Sequence, residues 1–148
     1  MMLVEHILET ARKRLAILNR ESGVCDAAAI LMNCETFFAV VCDDQGKAVG
    51  VVSRTDVVKV LVGATVDTLN TSAAAMMTPG VVSFRADQLL QEVWKTMNAR
   101  ALRCAPILDS DGRPQGILHA RDLAKALLAE VTYEELLLRD YVMGVGYQ

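Results

Sequence analysis

The sequence predicts a mixed α/β (α+β) fold in which two copies of one β-α-β-β-α unit pack against each other. The first observation behind this prediction is an internal repeat at an offset of 66 residues. The second is that apolar residues change between strand-like and helix-like spacing in the same order in both copies. Seven identities fall within the 24 positions from Ala39 to Val62, without a gap. The identical pairs are Ala39 and Ala105, Asp43 and Asp109, Gly46 and Gly112, Gly50 and Gly116, Asp56 and Asp122, Lys59 and Lys125, and Leu61 and Leu127.

Local patterns justify the elements of each unit in order. Asp87 is predicted to cap a helix whose apolar face carries Leu90, Val93, Trp94 and Met97 at helical spacing. Turns rich in Asp and Gly typically join antiparallel strands. For the first unit we predict strands at 15–18, 36–42 and 48–52, helices at 22–33 and 56–62, and a turn at 43–46. For the second unit we predict strands at 80–84, 104–108 and 115–118, a second helix at 120–130, and a turn at 109–112.

The repeat also predicts how the chain is divided. One three-stranded unit with a single apolar face would be marginally stable, whereas two facing units close a shared core. The tail shows capping-box spacing between Thr132 and Glu135, which predicts the start of a terminal helix. The apolar surface of that helix packs either on its own chain or on a partner subunit. The predicted segments are an N-terminal segment at 1–14, repeat units at 15–62 and 76–130, a linker at 63–75 and the tail at 131–148.

Composition and charge exclude several classes of protein. Hydrophobic residues make up 53% of the chain and the mean hydropathy is +0.29, so intrinsic disorder is excluded. The net charge of −3 argues against broad electrostatic binding to nucleic acid. No uncharged apolar run approaches the roughly 20 residues of a membrane span, and acids within the first apolar stretch argue against a signal peptide. We therefore expect a cytoplasmic protein with neither nucleic acid nor a membrane as partner.

The sequence contains no pattern that predicts a metal site or catalysis. Its four cysteines form no CxxC pair and lie far from His6 and His119, so a zinc site is not expected. Cys25 and Cys42 are predicted to be small core residues. The acidic pairs in the two turns are predicted to support the turns themselves. We therefore expect no enzymatic activity and no catalytic cofactor.

The corner between a strand and a helix at Gly50-Val51-Val52-Ser53-Arg54-Thr55-Asp56 is the most informative segment. Ser53 and Asp56 have capping-box spacing, so one interpretation is that they only cap the helix. The other interpretation is a nucleotide site. A helix N-terminus attracts phosphate, Asp56 could accept hydrogen bonds from ribose hydroxyls, and the two valines would form an apolar wall for a base.

On these residues the repeat resembles a tandem pair of cystathionine-β-synthase (CBS) domains, also called a Bateman module. The family pattern of Gly, two apolar residues, Ser or Thr, any two residues and Asp is complete from Gly50 to Asp56. Two further marks are Met77-Thr78-Pro79 followed by Val81-Val82-Ser83, and Cys104-Ala105-Pro106-Ile107-Leu108-Asp109. The resemblance covers roughly residues 15–128.

The resemblance implies a pseudo-twofold sensor module that binds an adenosine-containing ligand in clefts between its repeats. The ligand would be AMP, ADP, ATP, S-adenosylmethionine or NAD, and its binding would signal through a conformational change. In the family, two modules often pair through their helices, so we expect a homodimer. This sequence does not identify a target protein. The alternative function is a ligand-free scaffold for dimerisation or docking.

The resemblance also assigns residues to the two clefts. One would use Ser53 and Asp56, with Val82, Ser83 and Ala105 around the base. The other would use Asp122, with His119 and Arg103 near the phosphate and Ile17 near the base. His119 departs from the pattern, because Ser or Thr is expected there and histidine caps helices poorly. It either donates to a phosphate or fills the cleft.

Overall fold

The computed structural model describes residues 1–63 and 67–146. Residues 64–66 of the predicted linker and 147–148 of the predicted tail lie outside the described residues. The strands are β1 (Ile17–Asn19), β2 (Phe38–Cys42), β3 (Ala48–Ser53), β4 (Thr78–Pro79), β5 (Cys104–Leu108) and β6 (Pro114–His119). The helices are α1 (Leu8–Lys13), α2 (Val24–Leu31), α3 (Arg54–Val62), α4 (Ala73–Met76), α5 (Leu90–Ala99) and α6 (Ala120–Gly146), with short 3₁₀ turns at Val4–Ile7 and Thr68–Asn70.

The two hairpins superpose in register at the 66-residue offset. Val41 pairs with Gly50 and Ile107 pairs with Gly116, and a register shift follows Val41 and Ile107 at the same place. The turns are also equivalent. The Asp43 carboxylate accepts the N–H groups of residues 45 and 47 at 2.9 and 3.0 Å, and the Asp109 carboxylate accepts those of 111 and 113 at 2.9 and 2.9 Å. Both acids therefore support turns, as the sequence predicts.

The sheets differ from the prediction in the second unit. Within the described ranges, the first sheet has four strands in the order β1-β2-β3-β4, whereas the second contains only β5 and β6. The predicted strand at 80–84 is wrong: only Phe84 bridges to Ile107, in parallel orientation. The preceding residues instead form β4, which pairs with β3 of the other unit. Gly50 permits this approach, because a β-carbon there would lie 2.7 Å from the Met77 sulfur.

Three apolar clusters hold the fold together. One lies inside each unit, around Leu18 and Val52 in the first and around Leu90 and Leu118 in the second. The third joins the units, as the sequence predicts. It brings together Phe38, Val40, Cys42, Val51, Cys104 and Ile117.

The N-terminal segment packs on the second unit. Val4 is fully buried in that unit's core, and its N–H donates to the Gln88 carbonyl at 2.9 Å. Farther along the segment, helix α1 lies directly against β6 at Gly116. The first residues of the chain are thus fixed to the strand that precedes the second strand-to-helix corner.

Two helix starts differ from the prediction. Helix α5 begins at Leu90 with Leu89 as its N-cap. Asp87 lies in the preceding turn and pairs with Arg85 at 3.6 Å, so its predicted capping role is wrong. Helix α6 runs without a break from Ala120 to Gly146, so Thr132 and Glu135 lie inside it and start no new helix.

Exposure decides between the two interpretations of the tail and corrects one cysteine. Every residue from Val131 to Met143 is exposed, so this part of α6 does not pack on the described part of its own chain. Cys25 is exposed, which makes its predicted core position wrong, because the buried face of α2 carries Val24, Ala27 and Leu31. Cys42 is buried as predicted. Among the described residues, no helix is long and apolar enough to cross a membrane.

Candidate functional site

The corner between β3 and α3 forms a complete capping box. Ser53 keeps an extended backbone (φ −103°, ψ 171°), and its hydroxyl oxygen accepts the N–H of Asp56 at 3.3 Å. In return, Asp56 Oδ2 accepts the Ser53 N–H at 2.9 Å and the Ser53 hydroxyl at 3.1 Å. Among the described residues, the second carboxylate oxygen, Oδ1, accepts only a long bond of 3.4 Å from the Thr78 hydroxyl. The cap therefore uses one oxygen of a half-buried carboxylate and leaves the other weakly engaged.

The equivalent corner between β6 and α6 is capped by His119. Its Nδ1 accepts the N–H of Arg121 at 3.0 Å, so histidine does cap this helix, contrary to the expectation. Burial, followed by the charges of Arg14 and Arg121, lowers the pKa of His119 below its ordinary value of 6.5. The ring is therefore neutral at pH 7, with Nδ1 as acceptor and Nε2 as donor.

Asp122 is engaged differently from Asp56, although the two occupy equivalent positions. Arg14 donates to it through both Nε and Nη2, at 2.6 and 3.1 Å. The side chains of Arg14 and Asp122 are only 21% and 14% exposed. These hydrogen bonds raise the pKa of Arg14. Sequence reasoning missed Arg14; the one signal was its position, where the first unit lacks the Met-Thr-Pro lead-in of the second.

A cavity of about 350 Å³ opens beside the second corner. This volume lies within the range of small-molecule pockets, about 300–1,000 Å³. The Phe37 ring meets the His119 ring edge-on across the two units, with centroids 6.0 Å apart. The lining is polar, and its three cations outnumber its one acid: Thr10, Lys13, Arg14, Asn33, Cys34, Glu35, Thr36, Phe37, His119 and Arg121.

A smaller cavity of about 110 Å³ lies along β3, the strand that ends at Ser53. It is too small for a nucleotide in this conformation. Ser83 lines it, together with Val81 from the same segment and Pro106 and Leu108 from β5. The cavity therefore lies between the two repeats, where the sequence predicts a base-binding wall.

The structure places the remaining predicted residues less favourably. Ala105 is fully buried in the core of the second unit, and Val82 packs against that core. Ile17 is 52% exposed on β1. Arg103 is exposed and is linked to the second corner through its main chain, because its carbonyl accepts the Ala120 N–H at 2.8 Å. The structure thus brings Ser53 together with Asp56, and His119 together with the cavity beside Arg14.

Other chemistry has little support in the described part of the chain. No group of three or more His, Cys, Asp or Glu side chains there is arranged to hold a metal ion. The turn acids Asp43 and Asp109 have lowered pKa values, chiefly because main-chain N–H groups donate to their carboxylates. Burial raises the pKa of the Cys104 thiol to about 12, which disfavours a reactive thiolate.

A family model of the CBS domain matches residues 4–63 and again residues 73–129. The chain belongs to the CBS domain family. Its two CBS repeats correspond to the two units described above, and CBS-pair proteins are regulatory rather than catalytic modules.

Several known proteins are similar to this CBS pair. An uncharacterized 17.7 kDa protein of Acidianus ambivalens is 26% identical over 140 residues, which are 95% of this chain and 84% of that protein. The crystal structure of CBSX2, a CBS-pair protein of Arabidopsis thaliana, in complex with AMP has a TM-score of 0.73 and 26% identity, covering 87% of this chain and 98% of that one. The CBS pair of MJ0100 in complex with 5′-methylthioadenosine and S-adenosyl-L-methionine has a TM-score of 0.70 and 22% identity, covering 88% and 98%.

Proposed function

We propose that this CBS pair is a regulatory module that binds an adenosine-containing ligand between its repeats. AMP, ADP, ATP, S-adenosylmethionine and NAD are the candidate ligands. The observation that carries the proposal is the arrangement of Asp56 at the start of α3. One carboxylate oxygen is fixed by the cap, and the other is held, within residues 1–63 and 67–146, only by a 3.4 Å bond from Thr78.

Each part of a nucleotide has a suitable partner at this corner. The first turn of α3 offers main-chain N–H groups and the positive end of the helix dipole to a phosphate. Asp56 Oδ1 can exchange the Thr78 hydroxyl for a ribose hydroxyl, a replacement of one neutral donor by another. Val51 and Val81 line the neighbouring cavity and supply apolar surface for the base.

The position of the cavity along β3 supports a sensor rather than a passive binder. It lies between residues of both repeats, so a nucleotide bound there would contact both of them. A ligand that binds one relative orientation of the repeats better than another shifts the population toward it. A target protein that contacts both repeats would bind the two orientations with different affinity.

The similarity to CBSX2 in complex with AMP supports the ligand class, because it extends over 87% of this chain at 26% identity. The test is thermal melting of the full chain with AMP, ADP, ATP, S-adenosylmethionine and NAD in separate samples. A ligand at 100 times its dissociation constant should stabilise the fold by about 2.7 kcal/mol. Absence of any shift with all five compounds would contradict the proposal and favour the ligand-free scaffold.

We also propose that the protein forms a homodimer. The exposed half of α6 is apolar on several sides, and a helix of this kind is normally buried. Its exposed side chains include Val131, Tyr133, Leu136, Leu137, Leu138, Tyr141, Val142 and Met143. Helix α3 adds a second exposed apolar surface at Val58, Leu61 and Val62.

Light scattering at micromolar concentration tests the dimer. The wild type should have the mass of two chains, and a monomer would contradict the proposal. A Leu136→Glu/Leu138→Glu variant and a Val58→Glu variant tell which surface holds the copies together. Leu69→Glu is the matched control, because Leu69 is 67% exposed on a separate 3₁₀ turn.

A location in the cytoplasm remains a prediction, consistent with four free cysteines.

A further inference from the structure

Asp56 and Asp122 are equivalent in sequence but have partners of different strength. In the part of the chain that the structure describes, Asp56 Oδ1 receives a single hydroxyl bond of 3.4 Å, whereas Asp122 receives two bonds from the Arg14 guanidinium at 2.6 and 3.1 Å. We propose that Arg14 is a specificity-determining residue that occupies the ribose-binding acid of the second cleft. The chain then binds one adenosine ligand, in the cleft of Asp56. This inference rests on the proposed function.

The strength of the Arg14–Asp122 pair explains why a ribose would not displace it. A bidentate arginine–carboxylate contact combines two charge-assisted hydrogen bonds, which are about twice as strong as bonds between neutral groups. Ribose hydroxyls are neutral donors, so they would replace strong bonds with weaker ones. They would also leave Arg14, which is 21% exposed, without its counter-charge.

The backbone that carries Arg14 is held in place. The Arg14 N–H donates to the Ala11 carbonyl at 3.1 Å, which closes the end of α1. Ala11 in turn lies against Gly116 of β6, so closely that a β-carbon on Gly116 would be 2.8 Å from the Ala11 Cβ. Strand β6 leads directly into the corner that bears Asp122. Arg14 and Asp122 are therefore positioned by elements packed on each other, although they are 108 residues apart.

The second cleft has the volume for a ligand once Asp122 is released. The cavity of about 350 Å³ beside it is lined by Arg14 itself and by Lys13, His119 and Arg121. Two of these side chains are cationic besides Arg14, and the neutral His119 offers an Nε2–H donor, so phosphate binding there needs no contribution from Arg14. Replacement of Arg14 should consequently open a second site rather than remove one.

Isothermal titration calorimetry measures the number of sites directly. The full chain is titrated with AMP, ATP and S-adenosylmethionine in separate experiments. The test variant is Arg14→Met, which keeps the aliphatic stem and removes the guanidinium. The matched control is Arg12→Met, because Arg12 lies exposed on α1, two residues before Arg14, and does not line the cavity. Thermal melting checks that both variants fold. If Arg14→Met does not fold, Arg14→Lys replaces it, because lysine keeps the charge without the bidentate geometry.

The expected result is one site per chain in the wild type and in Arg12→Met, and two in the Arg14 variant. Two sites in the wild type, or equal numbers in the wild type and the Arg14 variant, would overturn the inference. Fewer sites in the Arg14 variant would also overturn it, because Arg14 would then be a ligand contact. If the wild type binds none of the three probes and none of the five candidate compounds shifts its melting, the proposed function fails, whereas a site that appears only in the Arg14 variant would still support the role of Arg14.

Discussion

Gly116 and Ala11 lie so close that a β-carbon on Gly116 would be 2.8 Å from both the Cβ and the carbonyl carbon of Ala11. No real side chain tolerates this distance, so helix α1 can pack on β6 only because residue 116 has no side chain. The equivalent residue, Gly50, makes room for Met77 and Thr78 in the same way. Different segments thus pack on the two equivalent glycines. This difference places Arg14 at one cleft and Thr78 at the other.

Substitution Gly116→Ala should destabilise the protein, because the new methyl group must push the α1 backbone away from β6. Overpacking of this kind typically costs about 1–3 kcal/mol. Urea denaturation measures the change in the free energy of unfolding. Gly63→Ala is the control, since a β-carbon there would meet its nearest atom at an ordinary 3.7 Å. Equal stability of Gly116→Ala and the wild type would show that α1 is not held against β6.

The pH dependence of stability should report the cap made by His119. Its pKa is lower in the folded protein than the ordinary 6.5, so the unfolded chain binds more protons between these two values. Stability is therefore complete above about pH 6.5 and is lost as the pH falls through the folded pKa. His119→Gln removes the titrating group. When the pH is lowered from 7.5 to 5, the free energy of unfolding of this variant should therefore fall less than that of the wild type. Parallel pH profiles of the two proteins, measured by urea denaturation, would contradict this assignment.

The four cysteines should divide into two reactive and two protected thiols. Cys25 and Cys34 are exposed, whereas Cys42 and Cys104 are buried. Burial raises the pKa of both buried thiols, in the case of Cys104 to about 12. Ellman's reagent at pH 8 should therefore modify two thiols per chain rapidly in the native protein, and all four after denaturation. Rapid modification of three or four native thiols would contradict the buried position of β2 or β5.

Local patterns in the sequence were sufficient to predict the repeat, the turns and one corner of the site. The capping box of Ser53 and Asp56 joins residues three apart, so its contacts follow from the helix itself. Asp43 and Asp109 likewise bond to N–H groups two and four residues away. Contacts of this range are determined by the residue types and their spacing.

The features that could not be predicted depend on how distant segments pack. The residues of the predicted strand at 80–84 have a composition typical of a strand. The segment just before them instead pairs with the other sheet as β4, because Gly50 leaves room for it there. The ion pair between Arg14 and Asp122 depends on the docking of the N-terminal segment onto the second repeat. The continuity of α6 through Thr132 shows the same limit, since a capping-box pattern also fits a helix interior.

The most direct test of the account is the effect of Asp56→Asn on the dissociation constant of the adenosine compound that stabilises the wild type. Hydrogen bonds to a charged group contribute about 1.5–3 kcal/mol, so the dissociation constant should rise by roughly 10- to 150-fold. Asp26→Asn is the matched control, because Asp26 is an exposed acid in the first turn of α2 and should leave the constant unchanged. An unchanged constant in a folded Asp56→Asn variant would contradict the account.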